Sequence, residues 1–288
     1  MEKLFSHTLL EVVIEVRVLR FVIVLLLTIT MIEHQTVAKT VKIEKLPWEQ
    51  VDQLLPRYSK FTVEDLETGK SFKVQRRAGS HHADVQPLSS KDTKIMKEIY
   101  NGKWSWKRRA IIVHSKGQKI AASMHGMPHG AGALENNFPG HFCIHFYGST
   151  THRTNFMDLS HKLMILKSAG ELKSFLGESN PYDLANSFLA GLKQQDKRVV
   201  SLTSVQELNW EEVLPKFENI MIERMAVLPV EDLGDEMILA IPVTLTVHLQ
   251  GIGPRVFEGT LKLVRFSPFD GWRVDALVFL KENKISID

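Results

Sequence analysis

The sequence predicts an α+β protein in two folded parts: a mostly β region over residues 39–176, then a small antiparallel sheet with packed helices over 181–288. Three observations carry this. Short strand-like runs joined by turn residues fill the first region. The turn-rich segment Gly177-Glu178-Ser179-Asn180-Pro181 interrupts the pattern. Beyond it, a helical stretch precedes three long strand-like runs separated by Gly/Pro-containing connections. A chain of 288 residues, 44% hydrophobic and 24% charged, is long enough for two cores.

Residues 1–38 form a separate N-terminal segment. Arg17 and Arg20 precede an apolar run from Phe21 to Ile32 broken only by threonines, and the chain turns polar at Glu33. A run of about twelve residues is short for a span that needs roughly twenty. Thr36-Val37-Ala38 offers small residues for cleavage, so the plan is that of a signal peptide. The stretch Leu9 to Leu19 is also apolar but carries Glu11 and Glu15, which leaves an uncleaved membrane anchor as the other reading. Either way the protein is expected to be exported, to the cell wall or the extracellular face, touching membrane only through this segment.

In the first region, Phe61-Thr62-Val63 and Ser71-Phe72-Lys73-Val74 flank the turn Glu67-Thr68-Gly69-Lys70. A helix is expected from Ser90 to Tyr100, where Ile95, Met96, Ile99 and Tyr100 recur at helical spacing. Arg109–Val113 and Lys119–Met124 read as strands around Lys116-Gly117, and a helix follows from Asp158 to Leu176. In the second region a helix carries Leu184, Phe188, Leu189 and Leu192, and strands are expected over Met237–Gln250, Val256–Phe266 and Trp272–Leu280. This element order is similar to that of NTF2-like and cystatin-like domains.

A net charge of +3, with both signs interspersed, gives no reason to expect nucleic acid binding. One cysteine excludes an internal disulfide. That cysteine lies in His141-Phe142-Cys143-Ile144-His145-Phe146, where residue types alternate without exception. A strand sends alternate side chains to opposite faces, so Phe142, Ile144 and Phe146 face a core while His141, Cys143 and His145 share the other face. An imidazole beside a thiol converts it to a nucleophile. His125 and His129 lie on the loop that returns to Cys143, and the loop is long enough to bring either one to it.

Here the chain resembles the L,D-transpeptidases, which carry a histidine, then fourteen to seventeen residues, then Ser or Thr, His, Gly and Cys. His125 is followed by fourteen residues and then Gly140-His141-Phe142-Cys143. The resemblance covers residues 61–176, with Gly140 in place of Ser or Thr, Phe142 in place of Gly, and His145 in place of Arg or Asn. It implies Cys143 as nucleophile, His125 as its partner with His129 as the alternative, and His141 as the motif histidine. His145, Phe142 and Trp106 would then line the substrate. The implied reaction is acyl transfer on peptidoglycan stem peptides, to an amine as transpeptidase or to water as carboxypeptidase, with no cofactor and no metal.

Two other readings stand beside it. A metal-dependent envelope peptidase draws on the twelve histidines and on His82-Ala83-Asp84. At about 3.4 Å per residue, His141 and His145 are roughly 13 Å apart along the strand, so only one of them reaches a given ion. A non-catalytic wall-binding module draws on Phe142. Papain-like peptidases place Cys before His, the reverse of the order here. Otherwise His82 and Asp84 read as a turn pair, Asp158 and His161 as a surface pair, and Trp104 to Arg109 as one core tryptophan followed by solvent-facing cations.

Overall fold

A computed structural model describes residues 16–24, 42–151, 156–227, 229 and 233–285. Residues 16–24 are helical; the remainder of the apolar run and the cleavage residues at 36–38 lie outside the described residues. No helix among the described residues is long and apolar enough to cross a membrane. Residues 42–288 form one compact unit of α+β architecture.

The first sheet of this unit closes on itself. The strands β1 (Ile43–Glu44), β2 (Lys60–Asp65), β3 (Ser71–Ala78), β4 (Ala83–Pro87), β5 (Arg109–Ser115), β6 (Gln118–Met124) and β7 (Phe142–His145) pair in the order β1-β6-β5-β2-β3-β4-β7, and β7 pairs again with β6. Six strands thus make a closed antiparallel barrel, to which β1 adds a short parallel edge on β6. Alternation decides what faces inward. Phe61, Val63, Phe72, Val74, Val85, Ile111, Val113, Ile120, Phe142 and Ile144 fill the interior. The first hairpin follows the turn chemistry read from the sequence: Asp65 accepts from the amide and hydroxyl of Thr68, and Gly69 takes a positive φ. Helix α1 (Trp48–Leu54) and helix α2 (Ser90–Ile99), capped by Ser89 accepting from the amide of Asp92, supply Val51 and Met96 to the same core.

The expected helix over 158–176 is two helices. Asp158 caps α3 (Leu159–Ala169) by accepting from the amide of His161, and Gly170 ends it in the left-handed conformation at φ 77°. A short α4 (Leu172–Gly177) follows, then α5 (Pro181–Gln194), started by Asn180 with Pro181 in its first turn. Helix α6 (Lys197–Thr203) and a short α7 (Trp210–Val213) lead into the second sheet. That sheet is antiparallel, in the order β11 (Arg273–Val274), β10 (Gly253–Val264), β9 (Ile238–Leu249), β8 (Phe217–Met225). Its core joins Leu239, Ile241, Val243 and Leu245 of β9 to Phe188, Trp210, Phe217 and Phe279. Helix α3 belongs to this core through Leu163, Met164 and Leu166 while lying against β5 and β6 of the barrel.

Three expectations fail here for physical reasons. Trp272–Leu280 is not a strand. After the two residues of β11, Asp275 caps helix α8 (Ala276–Glu282), whose Ala276, Phe279 and Leu280 bury one face at helical spacing. Strand β8, absent from the three strands expected in this region, buries only Phe217 and Ile220 fully and so shows almost no alternation. Nor do all the cations after Trp106 face solvent. Arg109 binds both oxygens of the fully buried Asp65, at 2.6 and 2.8 Å, and one oxygen of Glu67 at 3.0 Å. Trp104 packs edge-on to Phe138 with centroids 5.2 Å apart.

Candidate functional site

The short strand β7 lies between β4 and β6. Its register sets Cys143 opposite Asp84 on one side and His145 opposite Ser123 on the other. Since Phe142 and Ile144 point into the barrel, Cys143 and His145 point out of its wall, beside Asp84 and Ser123. The β6–β7 loop folds back on this face, held by the paired backbone hydrogen bonds of His129 and His141, both 2.9 Å. Helix α3 covers part of it: the His161 ring lies on His145 with centroids 3.8 Å apart, and His161 Nδ1 sits 2.9 Å from the Ser123 hydroxyl.

The result is a cluster of six imidazoles, one thiol and one carboxylate. His161, His145 and His82 stack in sequence, the second pair with centroids 4.4 Å apart. On the other side of Cys143, Trp106 leans over His125 and His129 at 4.7 and 5.4 Å, and His129 meets His141 edge-on at 4.5 Å. Cys143 Sγ is 3.3 Å from His129 Nε2 and 3.6 Å from Asp84 Oδ1. The same carboxylate oxygen is 3.3 Å from His82 Nε2 and 3.9 Å from His141 Nε2.

Backbone carbonyls fix three of the rings. Nδ1 of His82 faces the carbonyl of Thr150 at 3.0 Å, that of His129 the carbonyl of Met127 at 3.1 Å, and that of His141 the carbonyl of Ala131 at 3.1 Å. A carbonyl oxygen only accepts, so each Nδ1 carries the hydrogen. In the neutral rings, three Nε2 lone pairs therefore turn toward Cys143 and Asp84. His125 is set the other way round, its Nδ1 accepting from the Met127 amide at 3.3 Å.

Burial sets the electrostatics. His125, His145 and His161 are held well below the usual histidine range, first by burial and then by neighbouring imidazoles and Arg108. Burial also lowers His129. Cys143, 5% exposed, is pushed up by burial and then by the Asp84 carboxylate. Burial alone would raise Asp84, but the hydrogen bond and charge that the His82 ring offers when both its nitrogens carry hydrogen, with help from His141 and the Cys143 thiol, bring it below its ordinary value.

The residues expected from sequence are mostly here, with different partners. The ring nitrogen at hydrogen-bond distance from the thiol belongs to His129, whereas His125, under Trp106, has a nitrogen within 4.8 Å of it and no hydrogen bond to it. His141 borders the site and is partly exposed. His145 is buried between two other imidazoles, so it does not line an open surface. Phe142 is fully buried in the barrel, with Phe72 and Phe138 around it, and so does not face the site. Trp106 is about half exposed and borders a cleft of about 480 Å³ that Trp104, Lys107, Arg108, Met127 and Lys193 also line.

The acyl-transfer reading of the sequence leaves out four contributors, two of which, His82 and Asp84, enter only as candidates for a metal site. His82 and Asp84 are not a turn pair: Asp84 is in β4, and the inward Ala83 and Val85 on either side of it repeat the alternation that placed Cys143. Asp158 and His161 are not a surface pair, since His161 is 2% exposed against His145. Ser123 carries no sequence signal.

Gly140 keeps the loop in place. Its φ is +123°, and a Cβ there would lie 2.5 Å from the carbonyl oxygen of His129. Gly140→Ala is expected to destabilise the fold by about 1–3 kcal/mol and to move His129 away from Cys143. Urea unfolding together with the rate of Cys143 acylation checks both effects, and unchanged values in both would contradict this role. No protein-family model, curated protein or solved structure matches the chain.

Proposed function

We propose that this protein is a thiol-dependent acyl transferase of the L,D-transpeptidase kind, acting on peptidoglycan stem peptides at the cell wall after export. One observation carries the reading: Cys143 Sγ lies 3.3 Å from His129 Nε2, on a ring whose other nitrogen is committed to the Met127 carbonyl. That is the hydrogen-bond reach and tautomer a general base needs. Burial and Asp84 keep the resting sulfur protonated, so its proton leaves during attack and not before it.

The reaction has two halves. Cys143 attacks the carbonyl carbon of the third, diamino-acid residue of the stem while His129 takes the thiol proton; the S–C bond forms. His129 returns that proton to the departing amine as the C–N bond breaks, which leaves a thioester. An acceptor amine then attacks the thioester, His129 takes its proton, and the thiol is restored; water in place of the amine gives hydrolysis. The groove beside Trp106 and the cations around it is the entry route for the stem peptide in this reading.

The test is acylation. Metal-free protein incubated with a carbapenem, and separately with a tetrapeptide stem, should gain one acyl mass on Cys143 and none in Cys143→Ala, by intact-mass spectrometry. Turnover that persists in Cys143→Ala would refute the proposal. Wall binding with neither acylation nor turnover would leave a non-catalytic binding module.

A further inference from the structure

We infer that the outer face of β4 and β7 is also a metal site, in which Cys143, Asp84, His82 and His129 hold one divalent transition cation of the zinc class, and that the occupied site silences the thiol. The silencing clause rests on the acyl-transfer reading; the metal site does not.

An acyl-transfer dyad needs one imidazole, yet six belong to this cluster, and they are arranged in a particular way. His82, His129 and His141 each commit Nδ1 to a backbone carbonyl and turn Nε2 inward. Metal-ligating histidines are held by this device, because it fixes both tautomer and ring orientation. With these rings neutral, the inward ring nitrogens and the Asp84 carboxylate are all acceptors. Asp84 Oδ1 lies 3.3 Å from His82 Nε2 and 3.6 Å from Cys143 Sγ, and that sulfur lies 3.3 Å from His129 Nε2. Lone pairs this close repel unless a proton or a cation stands among them, and the thiol brings only one proton.

The spacings suit a cation. Tetrahedral bonds of about 2.0–2.3 Å place neighbouring ligand atoms about 3.3–3.8 Å apart, the range of these three among the six distances that four ligands have, and His82 and His129 must draw together on the ion to complete the set. Reserve donors lie close. Ligand atoms of His82, Cys143 and His145 fall within 4.8 Å of one another, as do those of His125, His129 and Cys143. His145 Nδ1 is buried with no hydrogen-bond partner among the described residues, a cost that would be removed only if His145 itself joined the ligands. One thiolate, imidazoles and a single carboxylate select zinc or cobalt(II) over magnesium or calcium. Binding replaces the thiol proton, which leaves to solvent, and occupies both the nucleophile and its base.

Cobalt(II) reports this directly. The full chain, freed of metal, is titrated with Co²⁺ alone. One equivalent should give the visible bands of tetrahedral cobalt and a near-ultraviolet sulfur-to-cobalt band, both erased by one equivalent of Zn²⁺. Cys143→Ser should lose the sulfur band, and His82→Gln should bind at least about tenfold more weakly. In the unmodified chain, one equivalent of Zn²⁺ should also block alkylation of Cys143 by iodoacetamide, a readout that needs no variant to fold. Absence of the sulfur band, or a band that survives in Cys143→Ser, overturns the metal site. Acylation of the metal-free protein combined with no cation binding sinks this inference alone; cobalt binding without acylation sinks the acyl-transfer reading and keeps the site.

Discussion

Replacing His129 with glutamine should lower the rate of Cys143 acylation at neutral pH by about 10²–10⁴-fold, the contribution of a positioned general base. His125→Gln should cost far less. The difference follows from position: His129 Nε2 is at 3.3 Å from the sulfur, whereas His125 lies farther off and uses Nδ1 to accept from the Met127 amide. It also follows from the resting state of the thiol. Burial, reinforced by Asp84, holds the sulfur above its ordinary range, so little thiolate exists before substrate arrives and the base must act in the transition state. Single-turnover acylation of metal-free protein, followed by mass, compares the two variants. Equal losses would mean that neither ring is the base and that both serve only to shape the loop.

The strand that carries the thiol is legible because its alternation is strict: hydrocarbon at Phe142, Ile144 and Phe146 leaves only one face for Cys143 and His145, and the barrel obeys it. The partner is not legible, because spacing along a loop does not say which of two imidazoles turns back. What decides it is the backbone pairing of His129 with His141, made possible by Gly140, a contact between residues far apart on the loop. Asp84 follows the same alternation as Cys143, but the strand is five residues long and follows two histidines that resemble a turn. His161 reaches the site only because α3 crosses the outer face of β6, and no periodicity within α3 encodes that crossing. At the C-terminus, an apolar run satisfies strand and helical spacing alike, and only the cap at Asp275 separates the two.

Helix α3 ties the site to the second core, and Phe188 tests that tie. The ring is fully buried, with Trp210 and Phe279 around it at centroid distances of 6.5 and 5.7 Å and interplanar angles of 70° and 85°. Phe188→Ala removes those edge contacts and leaves a void that neighbouring side chains fill only in part, which costs about 3–5 kcal/mol. With a urea slope of about 2–3 kcal/mol per molar, the midpoint should fall by more than about 1 M. The loss should also reach the histidine face. Leu163, Met164 and Leu166 of α3 are packed in the core that contains Phe188, while His161, at the start of the same helix, stacks on His145. Unfolding followed by tryptophan fluorescence and by the rise in the rate at which iodoacetamide alkylates Cys143 above its native value should therefore show coincident midpoints, both shifted together. If the fluorescence midpoint fell while the alkylation rate kept its native value up to the original urea concentration, the barrel and the second sheet would be unfolding independently and α3 would not couple them.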